Sequence, residues 1–136
     1  MESQNPYHSI VVQASAGSGK TYQLAGRFLH LVGAGAQASR ILTITFTLKA
    51  AAEMRSRILE EALRLQRDSQ AQRDFVMMQR SFGKDHLAKR SPIQVAKHIL
   101  GSSQRLRIST IDAVFHEWAS RFPQVKGSTH SRNVTV

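Results

Sequence analysis

The stretch Ala14-Ser15-Ala16-Gly17-Ser18-Gly19-Lys20-Thr21 decides the fold of this chain. The β-branched run Ile10–Val12 precedes it and a helical pattern beginning at Tyr22 follows it, so the order is strand, glycine-rich turn and helix. That order is typical of the phosphate-binding loop, or P-loop, in which backbone amides and a helix N-terminus face phosphate oxygens. In such a loop Lys20 meets the β- and γ-phosphates and the hydroxyl of Thr21 binds Mg²⁺. The alternative is a small-residue turn that binds nothing, since Ala14 stands where the strict pattern has glycine.

Composition bounds the class of protein. The 136 residues suit one domain, and 41% hydrophobic residues suffice for a core. With 19 basic and 9 acidic residues the net charge is +10, which predicts a polyanionic partner, nucleic acid first and an acidic membrane second. Simple solubility, or an acidic complement elsewhere, is the alternative. The absence of cysteine excludes disulfides and thiolate sites, and the six histidines lack metal-ligand spacing. No apolar run reaches membrane-spanning length and no signal-peptide core is present, so we expect a cytoplasmic protein without a membrane partner.

The first half of the chain alternates strands and helices. Residues 9–13 predict a short buried strand, and a helix with apolar spacing then ends at Gly33–Gly35. The β-branched run Arg40–Thr47 predicts the next strand, parallel to the first, with its carboxyl end beside the P-loop. A glutamine upstream of a P-loop can contact adenine, but Gln4 lies only a few residues before the loop, and this short sequence spacing favours an ordinary surface residue. The apolar positions of the first helix are Leu24, Phe28, Leu31 and Val32.

A long amphipathic helix follows over residues 48–67, with Thr47 as its N-cap. Its apolar stripe predicts a face that packs in the core, and acidic and basic residues four positions apart predict ion pairs on the solvent-exposed side. The stripe consists of Ala51, Met54, Ile58, Ala62 and Leu65, and the expected pairs are Glu53 with Arg57 and Glu60 with Arg64.

The second half of the chain is basic and then apolar. Residues 64–107 carry 10 of the 19 Lys and Arg residues and predict one or two short helices, which either form a solvated face or contact DNA. One of these helices begins at Pro92 and ends at Gly101. Leu106–Ile111 predicts a third strand, and Asp112–Phe122 a helix with one apolar side that Pro123 ends. Residues 124–136 lack periodicity and predict a disordered tail.

Three blocks in this order resemble the first motor domain of UvrD/Rep-type superfamily 1 helicases. They are the P-loop Ala14–Thr21, the block Thr45-Phe46-Thr47-Leu48-Lys49-Ala50-Ala51-Ala52-Glu53-Met54-Arg55, and the block Ile108-Ser109-Thr110-Ile111-Asp112-Ala113-Val114-Phe115. We call the second motif Ia and the third motif Ib. The residues of the first and third blocks are similar to those of the RecB/AddA branch, which works in DNA repair and recombination. The resemblance covers roughly residues 9–122.

The resemblance implies an α/β fold, a partial RecA-like P-loop NTPase of three layers with parallel strands and flanking helices. It implies an ATP-dependent, 3′→5′ DNA helicase that uses ATP, Mg²⁺ and single-stranded DNA. Lys20 and Thr21 would act on the phosphates, with Thr21 on the metal. The whole P-loop would bind nucleotide: Ala14, Ser15, Ala16, Gly17, Ser18, Gly19, Lys20 and Thr21. The DNA contacts would be Thr45, Phe46, Thr47 and Lys49 of motif Ia and Ser109, Thr110 and Asp112 of motif Ib.

Several of these residues also have a structural alternative. Phe46 would either stack on a base or pack in the core. Ala51 and Met54 fit the packing stripe of the long helix, and Thr110 or Asp112 would cap the following helix. A rival interpretation has Asp112 at the end of a strand, holding Mg²⁺ through water, although Ser109 and Thr110 interrupt the apolar run. Leu48 stands where the family usually has asparagine, which removes a polar contact.

The expected catalytic equipment is incomplete. The family carries an Asp-Glu pair on a later strand, and this sequence contains no Asp-Glu dipeptide. The arginines of a second motor domain are also lacking. We therefore expect residues 1–123 to be the N-terminal part of the ATP-binding domain of a longer helicase, inactive alone. Its expected partners are the rest of the motor and another nuclease or helicase chain. The other hypotheses are a small P-loop kinase or transferase and a non-catalytic DNA-binding remnant.

Overall fold

A computed structural model describes residues 4–8, 19–83 and 88–122, and within these ranges the chain is a mixture of helices around a small parallel sheet. The strands are β1 (Leu42–Thr45) and β2 (Arg107–Thr110). The helices are α1 (Lys20–Gly33), α2 (Leu48–Arg67), α3 (Ser69–Ser81), α4 (Pro92–Gly101) and α5 (Ile111–Arg121). The predicted strand 9–13, the P-loop residues Ala14–Ser18 and the predicted tail 124–136 lie outside the described residues.

Helix α2 is the centre of the structure, since it packs on α1, α4 and the sheet. Thr47 caps it as predicted: the Ala50 amide donates to Oγ1 of Thr47 at 3.0 Å. Asp68 separates it from α3, because its carboxylate accepts the amides of Gln70 and Ala71. The apolar stripe of α2 is confirmed at its four buried members, Met54, Ile58, Ala62 and Leu65.

The core lies between α1, α2 and α4. From α1 the buried apolar residues are Ala25, Phe28, Leu29 and Val32. The predicted position of Leu24 in this face is wrong, since Leu24 is 50% exposed. The buried face of α1 is therefore turned by about one residue from the predicted one. From α4 the core receives Val95, Ala96 and Ile99, and the helix has the predicted limits because Ser91 and Gln94 form a capping box and Pro92 takes the first position.

Ion pairs on α2 differ from those predicted. Arg57 lies near Glu60 at 3.6 Å and near Glu61 at 3.9 Å rather than pairing with Glu53. Arg64 pairs with Glu61 and Asp68 rather than with Glu60. All these pairs are near the surface, so each contributes at most about 0.5 kcal/mol.

The two strands are parallel and adjacent, with Leu42 opposite Arg107 and Thr45 opposite Thr110. Helix α2 covers one face of this sheet. On the other face Leu42 and Ile44 are 39% and 49% exposed. The predicted apolar side of α5 is also uncovered, since Ile111, Phe115, Trp118 and Phe122 are each 44% exposed or more. None of the helices in the described ranges is long and apolar enough to cross a membrane.

Candidate nucleotide and nucleic-acid site

The described part of the P-loop begins at Gly19, which has φ +86° and directly precedes α1. A Cβ built at Gly19 would have nothing within 4 Å, so the left-handed backbone, and not a lack of space, requires glycine there. The Gly19 carbonyl accepts the amide of Gln23 at 3.0 Å and so starts the helix. The geometry of Ala14, Ser15, Ala16, Gly17 and Ser18 lies outside the described ranges and stays a prediction.

The N-terminus of α1 suits an anion. No acidic residue lies in its first turn, and its N-cap, Gly19, has no side chain to accept the free amides. Lys20 is exposed and Thr21 is half-buried on this turn. A free helix N-terminus, an ammonium group and a hydroxyl are the donor set that triphosphate and Mg²⁺ require, so these residues fit both groups.

An open groove connects the start of α1 with the start of α2. Its volume is about 500 Å³, and both Thr21 and Lys49 line it. The other lining residues are polar or small: Ala52, Glu53, Ser56, Arg57 and Glu60. The fold therefore brings the predicted metal-binding hydroxyl and a predicted DNA-binding lysine to the same groove. Within the described ranges no group of three or more His, Asp or Glu side chains could hold a metal ion.

Motif Ia and motif Ib meet at one edge of the sheet. Thr45 ends β1 and Thr110 ends β2, and the two residues are register partners in the parallel ladder. The residues that follow each strand, Phe46–Lys49 and Ile111–Asp112, therefore leave the sheet at the same edge. In open α/β sheets this carboxyl edge is where ligands bind.

Three of the predicted DNA contacts are threonines whose hydroxyls form hydrogen bonds within the protein. Oγ1 of Thr45 lies 3.2 Å from the Thr47 carbonyl and 3.4 Å from the Ser109 carbonyl, and donates toward them. Oγ1 of Thr47 caps α2, and Oγ1 of Thr110 accepts the Ala113 amide at 3.2 Å and caps α5. Thr110 is also buried, at 8% exposed. These hydroxyls shape the edge, and the helix-cap role considered for Thr110 is confirmed.

The remaining candidates face solvent. Phe46 is 85% exposed, so the core-packing role considered for it is wrong. Lys49 and Asp112 are exposed on the first turns of α2 and α5, and Ser109 is half-buried. Leu48 is 80% exposed beside Phe46, which the sequence pattern did not indicate. The edge therefore presents an aromatic ring, an aliphatic side chain and an ammonium group within the four residues 46–49.

A second polar region lies along α1. Gln4 is only 4% exposed, so the surface position preferred for it is wrong. Its amide packs where Gly26 has no side chain, since a Cβ there would lie 2.4 Å from Gln4 atoms. Gln4, Tyr22 and His30 line a cavity of about 100 Å³ between α1, α2 and α3. Burial lowers the pKa of His30 to about 4, and its Nδ1 has no hydrogen-bond partner among the described residues.

Comparison with known proteins settles the family. Residues 2–133 match the profile of the UvrD/REP helicase N-terminal domain. The chain belongs to this family. The predicted resemblance to UvrD/Rep-type helicases is thereby confirmed.

Several curated relatives have names that describe one chain of an ATP-dependent helicase/nuclease. The protein from Lactobacillus acidophilus is 53% identical over 51 residues, which are 38% of this chain and 4% of that protein. The protein from Streptococcus thermophilus is 41% identical over 81 residues, 60% of this chain and 6% of that protein. The protein from Levilactobacillus brevis is 41% identical over 75 residues, which are 53% of this chain and 6% of that protein. The matches thus span only a small part of these relatives. No solved structure matches the chain.

Proposed function

We propose that this chain is the nucleotide-binding and strand-binding N-terminal part of an ATP-dependent, 3′→5′ DNA helicase of the RecB/AddA type. The observation that carries the proposal is the shared edge of β1 and β2. There the exposed Phe46 and Lys49 of motif Ia and Asp112 of motif Ib follow neighbouring parallel strands at the same edge, and Lys49 and Thr21 line one groove. A basic chain of net charge +10 supports a polyanionic substrate.

Each residue has a defined task in this proposal. Gly19 sets the turn, Lys20 neutralises phosphate charge, and Thr21 offers its hydroxyl to the metal. ATP and Mg²⁺, when bound, supply the phosphoryl chemistry that drives movement along DNA. Lys49 contacts the phosphate backbone, while the ring of Phe46 offers a stacking face to a base.

The sheet belongs, in the same proposal, to a RecA-like three-layer domain over residues 1–123. The described part contributes two of its parallel strands and helix α2 on one face of them. The remainder of the motor supplies the carboxylates for hydrolysis and the residues that close on the γ-phosphate. Relatives whose names describe one chain of a helicase/nuclease support a partner chain in the complete machine. The chain alone is therefore expected to give no steady DNA-stimulated ATP hydrolysis, and detecting it would overturn this part.

Strand binding can be tested by fluorescence anisotropy with a labelled single-stranded oligonucleotide over a series of salt concentrations. We expect binding that weakens as salt rises, because Lys and Arg displace counterions. Lys49→Ala should weaken binding and lower the salt slope by about one, whereas Phe46→Ala should weaken it by about tenfold with an unchanged slope. Lys97→Ala is the control, since Lys97 is exposed on α4 outside both motifs. Equal affinities for all four proteins would contradict the proposal.

The net charge favours one second candidate, a non-catalytic DNA-binding remnant. It predicts salt-dependent DNA binding to which ATP makes no difference. Under the helicase proposal, nucleotide bound at Lys20 changes the affinity for the oligonucleotide, because Thr21 and Lys49 line one groove. Repeating the titration with and without ATP and Mg²⁺ separates the two candidates.

A further inference from the structure

Arg55 connects motif Ia to the chain that leads into motif Ib. It lies on the second turn of α2, and its guanidinium donates from Nη1 to the Ser103 carbonyl at 2.8 Å and from Nη2 to the Leu106 carbonyl at 3.1 Å. These two carbonyls belong to the first residue of the short 3₁₀ turn Ser103–Arg105 and to the residue that follows the turn. One side chain of α2 thus bridges both ends of the turn that precedes β2.

The other end of β2 is also fastened to motif Ia. The hydroxyl of Thr45 reaches the Ser109 carbonyl at the carboxyl end of the strand. Leu106, just before β2, is 5% exposed and belongs to the core. Strand β2 is therefore held at its start by Arg55 and at its end by Thr45, and both residues belong to motif Ia. A shift of α2 along its axis would therefore act on the start of β2 through Arg55.

We propose that Arg55 is a positioning residue that keeps the strand-contacting groups of motif Ia and motif Ib at a fixed spacing. The inference rests on the proposed function, because it assigns Arg55 to the single-stranded DNA site at the shared edge of β1 and β2. Its chemistry requires arginine: the planar guanidinium offers diverging N–H groups to two carbonyls at once, whereas lysine offers one compact ammonium group.

The chain offers a matched control in Arg90. Its Nη1 also bridges two carbonyls, those of Val32 at 2.7 Å and Ala36 at 2.8 Å. This bridge fastens the C-terminal end of α1 and touches neither motif. Arg55→Lys and Arg90→Lys each replace a half-buried guanidinium that meets two carbonyls, through two nitrogens in Arg55 and through one in Arg90, and only the first changes the contact between the motifs.

The experiment measures single-stranded DNA affinity and its salt slope for the 136-residue chain and for Arg55→Lys, Arg90→Lys, Lys49→Ala and the double variant Arg55→Lys/Lys49→Ala. We expect both arginine variants to unfold at lower urea concentration. Only Arg55→Lys should bind DNA about tenfold more weakly. We expect the double variant to lose less affinity than the sum of its two single variants on a logarithmic scale, because the misplaced lysine is then already absent.

The outcomes separate the two claims. If Lys49→Ala weakens binding while Arg55→Lys matches Arg90→Lys, or if the double variant is additive, the positioning role is wrong and the proposed function stands. If the unsubstituted chain shows no salt-dependent binding, or if Lys49→Ala and Phe46→Ala both bind as tightly as it does, the proposed function itself fails. Arg55→Gln, which retains an N–H donor pair on a neutral side chain, replaces Arg55→Lys if the lysine variant does not fold, and the same comparisons apply.

Discussion

His30 carries the largest electrostatic penalty among the described histidines. Its ring stacks on Phe75 with centroids 4.2 Å apart and meets Phe82 edge-on at 5.0 Å. Burial lowers its pKa to about 4 from the ordinary 6.5, so the unfolded chain binds this proton more readily than the folded one. Above pH 6.5 His30 is neutral in both the folded and the unfolded chain, so its burial does not lower the stability there. Stability is lost as the pH falls from 6.5 to about 4, by about 3 kcal/mol.

Urea unfolding at several pH values tests this account of His30. His30→Phe keeps an aromatic ring against Phe75 and should flatten the dependence of unfolding free energy on pH between about 4 and 6.5. Part of the pH dependence of the unfolding free energy should remain in His30→Phe, because the pKa of His98 is also lowered, by burial and by Arg90 and Arg105. The exposed His116 provides the control His116→Gln, which should keep the full slope. An unchanged slope in His30→Phe would contradict the account.

Backbone conformation, and not crowding, is the reason for glycine at position 19, since a Cβ there would have nothing within 4 Å but φ is +86°. Gly19→Ala should destabilise the chain by about 1 kcal/mol, the cost of a Cβ at φ +86°. Gly101, at the end of α4, also has open space for a Cβ but no positive φ. Gly101→Ala should therefore be neutral or stabilise by up to about 1 kcal/mol. Urea midpoints compare the two, and equal losses would mean that backbone conformation is not the reason for glycine at position 19.

At the scale of elements, the start of α2 combines a helix cap with the proposed DNA edge. Thr47→Ala should lower the unfolding free energy by about 1 kcal/mol because the Ala50 amide loses its acceptor. Thr47→Asp restores an acceptor and should restore stability. Its carboxylate would nevertheless repel phosphate, so oligonucleotide affinity should fall further than in Thr47→Ala. Equal DNA affinity in the alanine and aspartate variants would place the strand away from this helix start.

The elements also show which features a sequence can predict. The limits of α2 and α4 follow from local chemistry, since Thr47, Pro92 and Gly101 act on their immediate neighbours. The cap formed by Thr110 is equally local and was predicted, whereas the bond from the hydroxyl of Thr45 to the Ser109 carbonyl depends on a neighbouring strand and was not. The prediction for Leu24 was wrong for the same reason: spacing gives a helix several apolar faces, and the neighbouring helices select one. The resemblance to the family predicts Phe46 and Lys49 as DNA contacts, whereas the hydrogen bond from Arg55 spans 48 residues and left no local signal.

At the scale of the whole molecule, apolar side chains in the described part of the chain remain uncovered on the second face of the sheet and on α5. They are Leu42 and Ile44 on the sheet and Phe115, Trp118 and Phe122 on α5, and together they are called the uncovered apolar surface. Parallel sheets are normally covered on both faces, so this surface should drive self-association of the chain. The charge of +10 opposes association, and salt should therefore promote it.

Sedimentation velocity at low and high salt tests this prediction. The sedimentation coefficient should rise with protein concentration, more steeply at high salt. Ile44→Lys combined with Phe115→Lys should keep the chain monomeric, while the control Leu63→Lys, a partly exposed leucine on α2, should not. A chain that remains monomeric at every salt concentration would show that these side chains do not drive association.

The central claim is that the chain carries the phosphate-binding start of a UvrD-type motor. An equilibrium titration with a fluorescent ATP analogue and Mg²⁺ tests it most directly, with Lys20→Ala against the exposed-lysine control Lys97→Ala. We expect weak, saturable binding by the unsubstituted chain and by Lys97→Ala, and binding at least about tenfold weaker in Lys20→Ala, because a charged hydrogen bond to phosphate is lost. Binding of equal strength in all three proteins would contradict the claim.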